Sequence, residues 1–303
     1  MKPNFFIVGA PKCGTTAWMR YLGTHPDIFI SEVKETTFFG HDLPGMQWVK
    51  SGDQYEALFA RGRGCKIIGD ASAAHLYSTV AAAEIARFNP DARILIFLRD
   101  QEDYLPALHN HYLTRFEECV EDFAAAWRMS GNRPPEALRD SFTEPKLLDY
   151  VALGSFHEQV ARYYEHFPAD QIKVFHIKEW TSNPRAAYLD IMKFLGIEDD
   201  GRTEFPRVNE AKHFRVKWVG KMIMQPPFFL RWAAAFLRIV TRRNALHLND
   251  RISQVFATKG YQTNVTPEVK AEVRRYFEED NQRLWKLLDK VRGKKKRSVR
   301  VTA

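Results

Sequence analysis

Asn4-Phe5-Phe6-Ile7-Val8-Gly9-Ala10-Pro11-Lys12-Cys13-Gly14-Thr15-Thr16-Ala17-Trp18 opens the chain almost at once. Residues 5–8 are an apolar run of strand type, followed by a turn rich in glycine and proline, and a helix is predicted from near Thr15. A strand, a turn of small residues and a helix N-terminus together make a cradle for an anion. Backbone N–H groups converge there, and the small side chains let the main chain come close.

The nucleotide triphosphate loop, G-x-x-x-x-G-K-[ST], is the first template to test. Gly9 and Gly14 have its spacing and Thr16 fills the last position, but Thr15 stands where the lysine should be, and the lysine has moved to Lys12. A cation before the turn can touch a single bridging oxygen, yet is poorly placed to run along a triphosphate. Pro11-Lys12-Cys13-Gly14-Thr15-Thr16 instead resembles the 5′-phosphosulfate loop of sulfotransferases that use 3′-phosphoadenosine 5′-phosphosulfate (PAPS).

Three further segments carry the same resemblance, in the same order along the chain. They are Lys34-Glu35-Thr36-Thr37-Phe38-Phe39, then Arg99 at the end of an apolar strand, then Phe256-Ala257-Thr258-Lys259-Gly260. Each is weak alone, and together they are similar to the bacterial and heparan-sulfate-type members. The resemblance implies an α/β fold and a site in which Lys12, Cys13, Gly14, Thr15 and Thr16 hold the 5′ end of the donor. It implies that Arg99, Lys259 and Gly260 hold the 3′-phosphate, and that Glu35 is the general base. Sulfuryl transfer to a hydroxyl is an in-line displacement, so charge builds on the leaving oxygen, where Lys12 and the loop amides can stabilise it. The acceptor must also lose a proton, which a carboxylate close to the sulfur can take. No metal is expected, because a sulfate offers no pair of phosphates for one to bridge.

Other readings stand beside these. Glu35 could be an ordinary ion-paired glutamate, and Arg99 could cap its strand by pairing with Asp100. The family's serine eight residues after this arginine is replaced by Ala107, and Thr258 stands where an arginine is frequent. These departures leave room for a fold that binds at membranes without catalysis. Asn110 or His109 could make up for the lost hydroxyl. Ser72, His75 and Phe156 are candidates for the acceptor side; for each the plainer reading is a helix cap, a core-edge histidine and helix packing.

The remaining pattern supports one α/β domain over 1–291, three-layered, with a mainly parallel sheet and a helical C-terminal third. Residues 28–30, 66–72, 93–98 and 172–177 read as strands, and helical patterns lie between them. A single long helix is expected over 267–291. The stretch 218–243, aromatic and cationic without acids, is a lid or an interfacial membrane segment, and 292–303 is a basic tail expected to be disordered.

The net charge of +8 calls for an anionic ligand or surface, and no recognised nucleic-acid motif accompanies it. Three cysteines without metal-ligand spacing indicate a reducing compartment. A phosphate loop so near Met1 leaves no room for a signal peptide, so a cytoplasmic location is expected, with membrane association open. The acceptor is a small molecule, a glycan or a lipid, and the oligomeric state is open.

Overall fold

The computed structural model describes residues 1–115, 117–138, 144–207, 212–214, 257–259 and 265–301; for 212–214, 257–259 and the last ten of these the description is of the backbone. Five strands form one parallel sheet: β1 (Phe5–Gly9), β2 (Ile28–Ile30), β3 (Ile67–Ala71), β4 (Arg93–Leu98) and β5 (Ile172–His176), in the order β2-β3-β1-β4-β5. The central strands are covered on both faces, as the middle of a doubly covered parallel sheet requires: every residue of β1 and β3 and residues 94–98 of β4 are buried.

Register assigns the faces. Phe6 lies opposite Ile94 and Asp70, whereas Phe97 lies opposite Phe175. Side chains alternate along a strand, so Phe6 and Asp70 point away from Phe97. On the Phe97 side, Trp18 of α1 (Thr15–Leu22) stacks at 5.6 Å, and Trp180 of α8 (Ile177–Ser182) meets Trp18 edge-on at 5.8 Å. On the other side Phe39 meets Phe6 at 5.8 Å and Tyr55 of α2 (Gly52–Ala57) at 5.3 Å. Helices α3 (Ala81–Phe88) and α7 (Phe156–His166) pack together on the same core, and α9 (Pro184–Leu195) closes toward Gly196 in the left-handed region. The three-layer reading stands.

Helix α4 (Gln101–Thr114) follows β4, and α5 (Phe123–Arg128) and α6 (Tyr150–Gly154) extend that flank. The expected single C-terminal helix is two, α10 (Pro267–Tyr276) and α11 (Glu278–Val301). Phe277 at the break is 1% exposed and packs on Gly154, where a Cβ would lie 2.4 Å from its ring. An aromatic anchor that turns into the core bends the chain there. Leu284 and Leu288 of α11 join the same core, and its backbone is helical to Val301. β6 (Lys212–Phe214) and β7 (Ala257–Lys259) pair antiparallel, with Lys212 opposite Lys259. Gly260 and the stretch 218–243 lie outside the described residues.

Candidate active site

β1 is the middle strand, with β3 on one side and β4 on the other, so the carboxyl ends of these three strands border the crevice where parallel sheets bind ligands. The loops that leave those ends carry Lys12, Ser72 and Arg99, and the turn after β2 carries Glu35.

The 10–14 loop turns its main chain toward the crevice. Lys12 has φ 60° and Gly14 has φ 95°, both in the left-handed region, which turns successive amides toward one side. Gly14 is required twice, by its φ and by Trp180, whose ring would lie 2.3 Å from a Cβ. Among the described residues, the amides of Lys12, Gly14, Thr15 and Thr16 donate to no backbone or side-chain acceptor. Gly14 carbonyl oxygen accepts from Ala17 and Trp18 amides (2.9 and 3.1 Å), which fixes the first turn of α1 behind them. Cys13 is placed differently from its neighbours. Its amide turns back to the Ala10 carbonyl (3.3 Å), its side chain is fully buried, and burial pushes the thiol up, so it packs the loop and offers no donor to a ligand.

Cations gather above the loop. The Lys12 ammonium reaches solvent but is held below its ordinary pKa, first by burial and then by Lys34 and Arg99. Asp100, the partner weighed for Arg99, instead meets His176 Nε2 (3.2 Å) and Lys178 Nζ (2.5 Å). Arg99 therefore has no ion pair among the described residues. His111, one helical turn after Ala107 on α4, faces the same cluster. Burial and then Lys12, Arg115 and Lys34 lower it to about 3, so it is a neutral imidazole. It was missed in the sequence, where only helical spacing, one turn from Ala107 to His111, could have pointed to it. His109 is fully buried and pairs with the Val120 carbonyl (2.8 Å), which removes it as a substitute for the family serine.

Glu35 lies on the turn next to this cluster. Its carboxylate contacts Lys34 Nζ and accepts from the Ala73 amide (2.7 Å), and its own amide donates to the Ala71 carbonyl (3.0 Å). Each carboxylate oxygen keeps a lone pair beyond these contacts. The exposed Trp48 is tied alongside, its amide donating to the Thr36 carbonyl (3.2 Å).

The acceptor-side candidates turn inward. Ser72 is 0% exposed, and its hydroxyl donates to Asp70 Oδ1 (3.0 Å); it neither faces the crevice nor caps the short turn it precedes. His75 is 1% exposed beside Phe39, and Phe156 is 1% exposed against Tyr104. Of the residues expected here, the fold brings Lys12, Gly14, Thr15, Thr16, Glu35 and Arg99 together, and buries Ser72, His75 and Phe156 behind them. For Lys259 only the strand is described. Among the described residues no three His, Cys, Asp or Glu side chains are grouped to hold a metal ion. A cavity of about 440 Å³ between β5, α9 and α11, lined by Lys173, Phe175, Asp190 and Leu288, shares no residue with this cluster.

Open amides at a helix N-terminus, a lysine above them and a carboxylate on the adjoining turn thus stand at the carboxyl ends of the strands of an α/β protein with a parallel sheet. The chain belongs to the sulfotransferase domain family, whose model matches residues 2–217. A solved sulfotransferase from Alicyclobacillus acidocaldarius is 30% identical, with a TM-score of 0.61 over 80% of this chain and 97% of that one. The bifunctional heparan sulfate N-deacetylase/N-sulfotransferase 2 of Bos taurus is 26% identical over 199 residues, 64% of this chain and 22% of the relative. The membrane-associated sulfotransferase kil1 of Dictyostelium discoideum is 31% identical over 100 residues, 32% of this chain and 20% of that protein. The chain thus spans about a fifth of the length of these curated relatives. Among the described residues no helix is long and apolar enough to cross a membrane.

Proposed function

We propose that this protein transfers a sulfuryl group from PAPS to a hydroxyl or amine of a small-molecule, glycan or lipid acceptor. The observation that carries the reading is the set of four open amides, at Lys12, Gly14, Thr15 and Thr16, beneath the Lys12 ammonium. An in-line displacement leaves negative charge on the departing bridging oxygen. Fixed N–H dipoles and a partly desolvated cation stabilise such charge without reorganising, an effect worth ~10²–10³ in rate for each donor. Glu35 takes the acceptor's proton, with Lys34 holding one carboxylate oxygen and the Ala73 amide the other. Arg99, free of Asp100, is available to hold the 3′-phosphate as a forked donor, together with Lys259 and Gly260.

Calorimetric titration with 3′,5′-adenosine diphosphate, beside Lys12→Ala and Glu35→Gln, tests this reading. Micromolar binding is expected that Lys12→Ala loses and Glu35→Gln keeps, with turnover abolished in the first and lowered ~10²-fold or more in the second. No binding by the unmodified protein would mean that Ala107 and Thr258 have disabled the nucleotide site, and the enzyme reading would give way to a binding module. Full turnover in Glu35→Gln would remove that residue from the base role.

A further inference from the structure

Asp70 lies at the end of β3, directly behind the turn that carries Glu35, and is 1% exposed. Three hydroxyls converge on its carboxylate. Tyr55 of α2 donates to Oδ2 at 2.8 Å, Thr36 donates to Oδ2 at 3.2 Å, and Ser72 donates to Oδ1 at 3.0 Å. Ser72 in turn accepts from the Thr37 amide (3.3 Å) and touches the Thr36 hydroxyl (3.1 Å).

The turn held by these contacts is a costly one. Glu35 has φ 61° and Thr37 has φ 47°, left-handed conformations on either side of Thr36, and Thr37 is β-branched. Such residues cost ~1–2 kcal/mol each and persist only where their surroundings over-determine them. Thr36, between the two, is fully buried, and its hydroxyl is the side-chain grip on the sheet. A carboxylate buried here is itself unfavourable, since an apolar residue of similar size could fill the space without desolvating a charge. Burial pushes Asp70 up to about 6 in spite of its three hydroxyl partners, and Glu35 pushes in the same direction. Tyr55 and Glu35 are the ionisable groups that face it, from α2 and from the turn. What such a residue supplies is geometry.

We propose that Asp70 is a positioning residue for Glu35, tying the turn down through Thr36 and Ser72 so that the base stands beside the phosphate loop. The catalytic part of this inference rests on the reading of Glu35 as the base. The mechanical part stands on the contacts alone.

Two substitutions separate them. Asp70→Asn leaves one acceptor oxygen where three hydroxyls now donate, and Thr36→Val removes the grip in a side chain of the same shape. Hydrogen exchange is read at the Glu35 and Thr37 amides, with β4 as internal control, beside release of 3′,5′-adenosine diphosphate from PAPS and the affinity for that product. In both variants β4 protection and product affinity are expected to stay, while exchange at Glu35 and Thr37 speeds about tenfold or more, the loss of a buried hydrogen bond. Turnover falls by a similar factor. Glu35→Gln, by contrast, loses turnover with the turn still protected. Unchanged exchange at both amides in Asp70→Asn and Thr36→Val overturns the tie, whatever Glu35→Gln does. A loosened turn with full turnover, when Glu35→Gln is inactive, overturns the positioning role. Full turnover in Glu35→Gln overturns the base reading on which that role rests.

Discussion

Neither ring nitrogen of His75 has a hydrogen-bond partner among the described residues, and the side chain is enclosed against Phe39. Burial lowers its pKa to about 3, so the folded protein holds it neutral. Two unsatisfied buried polar atoms cost ~1–3 kcal/mol each, and a neutral imidazole forfeits further stability as the unfolded chain takes up a proton below about pH 6.5. His75→Leu should therefore raise the melting temperature, with the gain growing as pH falls from 6.5 toward 3, and should leave product affinity intact. A variant with weakened product affinity or turnover and no gain in stability would return His75 to the site. At this scale the sequence shows which residues stand beside the crevice and hides where their side chains point. Lys12 and Glu35 were legible because a motif fixes their backbone place beside the crevice. The direction of the Ser72 hydroxyl was not legible, because it turns to a buried carboxylate two residues away, a choice that no spacing encodes.

Elements were easier to read than side-chain directions. Strands β1 and β4 are short apolar runs ended by glycine or arginine, and burial on both faces leaves such runs little freedom to be anything else. The corner between α10 and α11 was not legible, because mixed charge continues across it and Phe277 looks like one more apolar position of a long helix. Only the facing surface reveals the break. Gly154 makes room for the Phe277 ring, while Gln101 bridges the Gly154 carbonyl (3.1 Å) and Asn281 (3.0 Å). Gly154→Ala places a methyl within 2.4 Å of that ring and should cost ~1–3 kcal/mol in urea unfolding, with the loss concentrated in α10 and α11 by hydrogen exchange. An unchanged midpoint would show that the corner adjusts freely.

Charge organises the whole molecule unevenly. Residues 290–300 carry seven lysines and arginines and no acid, so the remainder of the chain has a net charge of only +1. The body is nearly neutral, and four of its cations, Lys12, Lys34, Arg99 and Arg115, gather at the crevice by placement. Its stability should respond to pH through buried groups of opposite sign. Asp70, raised from 3.8 to about 6, binds protons in the folded state that the unfolded chain releases, so its contribution is lost as pH rises from about 4 through 6. His75 and His111, both lowered from 6.5 to about 3, act the other way, stabilising above about 6.5 and losing that contribution on acidification. The difference in unfolding free energy between wild type and Asp70→Asn should therefore shift against wild type by about 2 kcal/mol between pH 4 and 7. A difference that stays level over that range would show that Asp70 titrates alike in both states.

On the proposed function, the loop at residues 12–16 addresses its ligand chiefly through peptide groups, which every amino acid carries. Recognition of that kind is indifferent to most substitutions and sensitive to the few that alter backbone shape, as at Gly14. It places the heritable information for binding in conformation, leaving the side chains of the surrounding loops free to diversify around one unchanging reaction centre. A chain can in this way exchange one acceptor for another over evolutionary time while its grip on the donor stays the same.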